Sequence, residues 1–141
     1  KFSPRQKQIY QTVLDVQKRV IAMIKPGATL AQLNNATRDW LAEGMLSIGL
    51  IKSADEVVKY YMHSVSHFLG MDTHDLGGRE AVLEEGNVIT VEPGIYIPDE
   101  KLGVRIEDDV LVTKRGHEVL SKAIPKEIAD IEKLRQKALR K

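Results

Sequence analysis

The sequence predicts an α+β fold with two N-terminal helices, an antiparallel sheet in the middle and a C-terminal helix. Helices are predicted because apolar residues recur at helical spacing near both ends of the chain, after helix-start signals. A sheet is predicted because glycines divide the middle of the chain into short segments rich in valine, isoleucine and tyrosine. Residues 1–141 contain no linker, repeat or low-complexity tract, which predicts a single folded unit.

A capping box begins each of the first two predicted helices. Ser3 with Gln6 forms the first box, and Thr29 with Gln32 forms the second. The first helix should end at the Pro-Gly pair before the second box, and the second helix should end near Gly49. A final apolar stripe, with lysine and arginine in its last turn, predicts the third helix.

The middle region, from Tyr60 onward, should be sheet because the helical period disappears there. Within it Glu92 shares strand parity with Thr90, and Glu107 shares it with Arg105. The intervening valines and isoleucines point the other way. Each of these strands is therefore predicted to have one apolar face and one polar face.

The composition limits the chemistry. A hydrophobic content of 43%, a charged content of 29% and a net charge of +1 give no reason to expect nucleic-acid or membrane binding. With no cysteine, a metal would have to be held by His, Asp or Glu, and a reducing compartment is favoured. No apolar run reaches the roughly 18 residues of a membrane span, and no signal-peptide pattern begins the sequence. We therefore expect a cytoplasmic location.

Imidazoles and carboxylates are concentrated in three short segments, HSVSHFLGMDTHD (63–75), TVEPGIY (90–96) and GVRIEDD (103–109). Such side chains on otherwise apolar, strand-like sequence are typical of a hydrolytic metal centre. One imidazole with two carboxylates would suit Mn²⁺, Co²⁺, Fe²⁺ or Zn²⁺ better than copper.

The histidines do not identify a site individually. His63 and His67 are four residues apart, but their surroundings are extended rather than helical, so His67 alone is better explained as an ordinary buried or surface histidine than as a ligand. His74 is followed by Asp75, a pairing that usually marks a turn.

The carboxylates also have alternative explanations. Glu92 lies within an apolar stretch, where a buried charge needs a partner or a cation, yet it could be an exposed residue at a bend. Glu107 could be a surface charge paired with Arg105. We expect Asp108 and Asp109 to lie in a solvated turn or to cap backbone groups.

Together, the three segments resemble the C-terminal catalytic part of the Xaa-Pro aminopeptidases (aminopeptidase P), in the pita-bread metallopeptidase family M24. The resemblance covers nearly the whole chain, and the combination of segments is more specific than any one of them. It implies that the helices and sheet form the C-terminal half of a pita-bread fold.

The resemblance also implies roles for individual residues. His67 and Glu92 match ligands of one metal, and Glu107 matches the carboxylate that bridges two divalent metals, with Mn²⁺ first among Mn²⁺, Co²⁺, Zn²⁺ and Fe²⁺. The supporting positions match non-ligand histidines, an arginine beside the bridging glutamate and a pocket residue near the metals; they are His63, His74, Arg105 and Tyr96.

The implied reaction is attack of a metal-bridged hydroxide on the peptide bond before proline, which releases the N-terminal residue of the peptide. Three alternatives remain open. They are a prolidase, which demands a free carboxylate after proline, a methionine aminopeptidase, and a non-catalytic module that keeps the fold for binding or oligomerisation.

The sequence departs from the family pattern in its metal ligands. The family has two further aspartate ligands on strands before the first helix, and Asp15 and Asp39 match neither. We therefore expect the chain to be the C-terminal portion of a longer enzyme. By itself it should bind at most one metal weakly, show little or no turnover, and self-associate through surface that the missing half would cover.

Overall fold

A computed structural model describes residues 1–139. In chain order the elements are α1 (Pro4–Met23), α2 (Leu30–Ser47), a 3₁₀ helix (Ala54–Lys59), β1 (Val88–Val91), β2 (Gly94–Ile97), a 3₁₀ turn (Pro98–Glu100), β3 (Leu102–Arg105), β4 (Asp108–Thr113), β5 (Gly116–Val119) and α3 (Ile128–Ala138). The predicted α+β class, with two helices before the sheet and one after it, is confirmed.

Both predicted capping boxes are present. The Ser3 hydroxyl accepts a hydrogen bond from the Gln6 N–H, and the Gln6 side chain accepts one from the Ser3 N–H. Thr29 and Gln32 form the same pair at α2. These reciprocal bonds satisfy amide groups that the first helical turn leaves free. Between the helices, Gly27 adopts a φ of 88°, which is why the chain turns there.

The strands form a three-stranded sheet in the order β1-β4-β5 and a two-stranded sheet of β2 and β3, all antiparallel. The two sheets share one register, because Val91 pairs with Asp108 and, three residues further, Gly94 pairs with Arg105. The interruption falls at Pro93, which has no N–H to donate. The segments 88–97 and 102–111 are therefore one long antiparallel hairpin with a break in the middle.

One core lies between the helices and the sheets. The apolar sides of α1 and α2 pack against the inward side chains of β1, β2 and β4, and each fully buried aliphatic side chain stabilises the fold by about 1.5–3 kcal/mol. The fully buried members include Ile9, Val13, Leu33, Leu41, Ile89, Val91, Ile95 and Val110. Within the described residues, no helix combines the length and the apolar character needed to cross a bilayer.

The prediction of sheet from Tyr60 onward is wrong for residues 60–87, which are mostly irregular. Part of this region does follow a strand-like path, since the N–H groups of Glu92 and Thr90 donate to the carbonyls of Val65 and His67 at 2.8 and 3.0 Å. We call residues 65–69 the histidine segment. Gly70 and the glycines after it then lead the chain away from the sheet, so no regular strand develops.

Asp108 corrects another expectation, because it lies in β4 and not in a solvated turn. It is 1% exposed, and its Oδ1 accepts hydrogen bonds from the Ser121 hydroxyl and from the Lys126 ammonium, the latter at 2.7 Å. Buried charges need such partners. The pair ties the segment before α3 to the sheet.

Candidate metal centre

Three backbone elements bring His67, Glu92 and Glu107 together. His67 belongs to the histidine segment, which lies along the free edge of β1. Glu92 directly follows β1, and Glu107 directly precedes β4. Continuing the β1–β4 register by one position sets Glu92 opposite Glu107, and directly opposed residues project to the same face of an antiparallel pair. The interruption in the hairpin thus places two carboxylates side by side.

The donor atoms of these residues are close enough to share a cation. One ligand atom from each of the three side chains lies within 4.8 Å of the other two, and within residues 1–139 no other trio of His, Asp and Glu does so. His67 Nε2 is 3.2 Å from Glu92 Oε1. The side chains of His67 and Glu92 are 23% and 12% exposed, whereas that of Glu107 is 40% exposed, so the cluster is open on the Glu107 side.

The protonation of His67 suits a metal ligand. Its Nδ1 lies 3.0 Å from the Phe68 carbonyl oxygen, which can only accept a hydrogen bond, so Nδ1 carries the proton. Nε2 is the ring nitrogen that faces the carboxylates. A histidine whose other nitrogen donates to a carbonyl is the usual arrangement of a metal-ligating imidazole. One imidazole and two carboxylates fit a divalent cation such as Mn²⁺, Co²⁺, Fe²⁺ or Zn²⁺.

Arg105 lies between the two glutamates. Its Nη1 is 3.7 Å from Glu92 Oε2 and its Nη2 is 3.8 Å from Glu107 Oε2, so one guanidinium partly offsets the repulsion of two carboxylates. Burial, and next the facing Glu92 carboxylate, nevertheless raise the pKa of Glu107 above its usual range. The cluster would accept further positive charge favourably.

His63 and Tyr96 form a second pair on the edge of the site. The Nδ1 of His63 donates to its neighbouring carbonyl at Ser64, 2.8 Å away, so its Nε2 accepts a hydrogen bond from the Tyr96 hydroxyl, also at 2.8 Å. A Cβ on Gly94 would lie 2.6 Å from Tyr96 Oη, and one on Gly103 would lie 3.2 Å from Tyr96 Cδ1. The Tyr96 ring therefore lies over Gly94 and Gly103. Sequence reasoning did not predict that these two glycines make room for the ring.

His74 lies in the irregular stretch 70–80 and is exposed. Its ring meets that of His67 edge to face, with centroids 4.3 Å apart and planes at 72°. Asp75 holds this turn by accepting the N–H groups of Met71 and Leu76 at 3.0 and 2.7 Å. The structure thus brings His74 beside the cluster, although it is far from Glu92 and Glu107 in sequence.

A groove of about 490 Å³ opens next to His63. Its lining combines apolar side chains, among them Met62, with the guanidinium groups of Arg38 and Arg79. Sequence reasoning missed both arginines because neither lies in the three segments rich in histidine and carboxylate; one is on α2 and the other in the irregular region. Of the candidate site residues, only His63 lines this groove.

Relatives of known name match nearly the whole chain. It is 41% identical over 153 residues to the Xaa-Pro aminopeptidase of Haemophilus influenzae, covering 95% of this chain and 36% of that protein. It is 42% identical over 144 residues to the mitochondrial intermediate cleaving peptidase 55 of Arabidopsis thaliana, covering 95% of this chain and 29% of that protein. The chain therefore spans about a third of the length of these relatives.

Solved structures agree with the sequence relatives. The aminopeptidase PepP of Pseudomonas aeruginosa superposes with a TM-score of 0.92 at 41% identity, over 100% of this chain and 37% of that one. Aminopeptidase P of Escherichia coli with the inhibitor Pro-Leu gives 0.92 at 32% identity, over 100% and 36%. The superposition is with the C-terminal part of their pita-bread domains. Because the profile of metallopeptidase family M24 also matches residues 1–114, the chain belongs to that family.

Proposed function

We propose that this chain contributes the His67–Glu92–Glu107 side of the catalytic site of a metal-dependent Xaa-Pro aminopeptidase. The observation that carries the proposal is the convergence of one imidazole nitrogen and two carboxylates within 4.8 Å. The names of the relatives support the substrate class. Residues 1–141 act in this proposal as the C-terminal portion of a larger catalytic domain.

The three side chains would hold a divalent metal, with Mn²⁺ preferred because two of the three ligands are hard oxygen donors. A bound divalent metal would lower the pKa of water and polarise the peptide carbonyl. Glu107, on the open side of the cluster, is the carboxylate suited to contact a second ion as well. Since the cluster itself offers three ligands, it completes at most one weak site, and a dinuclear centre needs ligands beyond these.

The neighbouring residues would handle substrate and protons. The aromatic rings of His63 and Tyr96 form a partly apolar wall against which a proline ring could pack, and their mutual hydrogen bond keeps that wall rigid. Arg105 keeps the two glutamates in place and stabilises negative charge that develops beside them. His74, exposed and in contact with His67, is placed to exchange a proton with solvent.

The experiment uses the native polypeptide that contains this chain, loaded with Mn²⁺, and three peptides. We expect release of alanine from Ala-Pro-Ala and none from Ala-Ala-Ala. Cleavage of the dipeptide Ala-Pro alone would instead identify a prolidase. Equal cleavage of the two tripeptides would contradict a proline-directed activity.

A matched pair of variants tests the metal ligands. Glu107→Gln keeps the shape of the side chain and removes a charged ligand, so we expect turnover to fall by at least about 100-fold, more than typical losses at residues that only support ligands. Glu118→Gln alters an exposed glutamate of β5 paired with Lys122 and should leave turnover unchanged. Equal activity of the two variants would rule out Glu107 as a ligand.

Two properties of the protein belong to the same proposal. We place the activity in the cytoplasm, because a chain without cysteine needs no oxidising compartment, and cell fractionation tests this.

We also propose self-association, because Met71 and Leu76 are 102% and 95% exposed. Sedimentation velocity that finds a monomer at all concentrations would exclude it.

A further inference from the structure

Thr90 is a buried residue that no part of the proposed mechanism uses. It lies on β1, two residues before Glu92 and on the same face, and it is 1% exposed. Its N–H donates to the His67 carbonyl at 3.0 Å, as expected of neighbouring strands. A buried hydroxyl must also find partners, and those of Thr90 belong to two proposed metal ligands.

The Thr90 hydroxyl makes two hydrogen bonds with fixed directions. Oγ1 accepts the backbone N–H of His67 at 3.1 Å, and Oγ1 lies 3.1 Å from Glu92 Oε1. Because an ionised carboxylate only accepts, the hydroxyl proton points at Glu92. The oxygen it contacts is Oε1, the same oxygen that faces His67 Nε2 at 3.2 Å.

The two oxygens of Glu92 are thereby held by different groups. Thr90 donates to Oε1, while Arg105 Nη1 lies 3.7 Å from Oε2. The Thr90 hydroxyl is buried and lies within hydrogen-bond distance of the carboxylate, whereas the Arg105 contact is longer and its side chain, 52% exposed, can move with solvent. Thr90 is therefore the more rigid of the two constraints on the carboxylate.

We propose that Thr90 is a positioning residue of the metal centre, whose single hydroxyl fixes both the Glu92 carboxylate and the backbone of His67 relative to each other. This inference rests on the proposed metal site. Residues that orient metal ligands in this way typically contribute 10- to 100-fold to metal affinity. The hydroxyl and not the methyl group of Thr90 should carry the effect.

The experiment compares Thr90→Val, which keeps the shape and loses the hydroxyl, with Thr90→Ser, which keeps the hydroxyl. Co²⁺ is titrated into the native polypeptide that contains this chain, here called the unchanged chain, and into each variant of it, and its visible absorption reports affinity and coordination geometry. We expect Thr90→Val to weaken Co²⁺ binding by about 10- to 100-fold and to alter the spectrum. Thr90→Ser should retain the spectrum and stay within about threefold of the unchanged chain.

The outcomes separate this inference from the one on which it rests. If the unchanged chain binds no Co²⁺, the proposed metal site fails and this inference fails with it. If the unchanged chain binds and Thr90→Val binds equally well, or Thr90→Ser is as weak as Thr90→Val, only the positioning role is overturned. Should Thr90→Val not fold, hydrogen exchange of the His67 amide decides: slow exchange that Co²⁺ slows further supports the role, and unprotected exchange overturns it.

Discussion

Replacing Lys126 by methionine should destabilise the fold strongly, although Lys126 lies far along the chain from the metal cluster. Its ammonium is 2.7 Å from Asp108 Oδ1, and the Asp108 side chain is 1% exposed. The other oxygen of Asp108 is buried with no hydrogen-bond partner among the described residues. Lys126→Met would therefore leave a buried carboxylate with only the Ser121 hydroxyl as a partner.

The size of the effect follows from this geometry. Removing one partner of a buried ion pair typically costs 3–5 kcal/mol. Because the Lys126 side chain is 21% exposed, water can reach part of the vacated volume, and we expect the low end, about 3 kcal/mol. That is a large share of the roughly 5–15 kcal/mol that stabilises a typical domain.

Urea unfolding measures this loss as a lower midpoint at an unchanged slope. The matched control is Lys122→Met, which breaks an exposed pair with Glu118 and should cost at most about 1 kcal/mol. The double change of Asp108→Leu with Lys126→Met removes both charges and should recover most of the stability. A loss below about 1 kcal/mol for Lys126→Met would refute the assignment of Asp108 as a buried, paired charge.

Three further predictions follow from local geometry. Gly94→Ala would place a Cβ 2.6 Å from Tyr96 Oη and should cost about 1–3 kcal/mol in urea unfolding, whereas Gly116→Ala meets no atom within 4 Å and should cost less. Hydrogen bonds from Lys59 and from backbone amides lower the pKa of Glu56 from 4.5 to about 2, so its contribution to stability is complete above pH 4.5 and lost toward pH 2. Glu56→Gln should therefore have a lower midpoint of urea unfolding than the unchanged chain at pH 7. The difference between the two midpoints should shrink as the pH falls from 4.5 toward 2. Thr29→Ala removes a capping hydroxyl and should lower the unfolding free energy by about 1 kcal/mol, with a matching loss of helical circular dichroism on heating.

The helices were predictable because their signals are local. Each capping box lies within four residues, and the apolar stripes that follow have the helical period. The irregular region 60–87 was not predictable in the same way. Valine and tyrosine favour strands there, but the Tyr60 carbonyl accepts from Tyr96 of β2 and the Val65 N–H donates to the Asn34 side chain of α2, so tertiary contacts decide the local structure.

The candidate site was predictable as a set of residues but not as an arrangement. Strand parity gives the face on which Glu92 and Glu107 lie, yet only the register sets them opposite each other. Asp108 was misjudged because its partner Lys126 is 18 residues away and follows a turn. The proposed positioning role of Thr90 was not predictable for a similar reason, because a threonine in a strand usually indicates only β propensity.

The common register of the two sheets has a consequence for how this sequence can vary. Insertions and deletions are ordinarily tolerated in surface turns such as 98–101. Here, however, that turn joins the two arms of the broken hairpin, so a one-residue change in its length would shift the whole second arm, residues 102–111, relative to the first. It would rotate Glu107 to the opposite face while leaving Glu92 where it is. Length changes in this remote turn should therefore be as rare among functional homologues as substitutions of the ligands themselves.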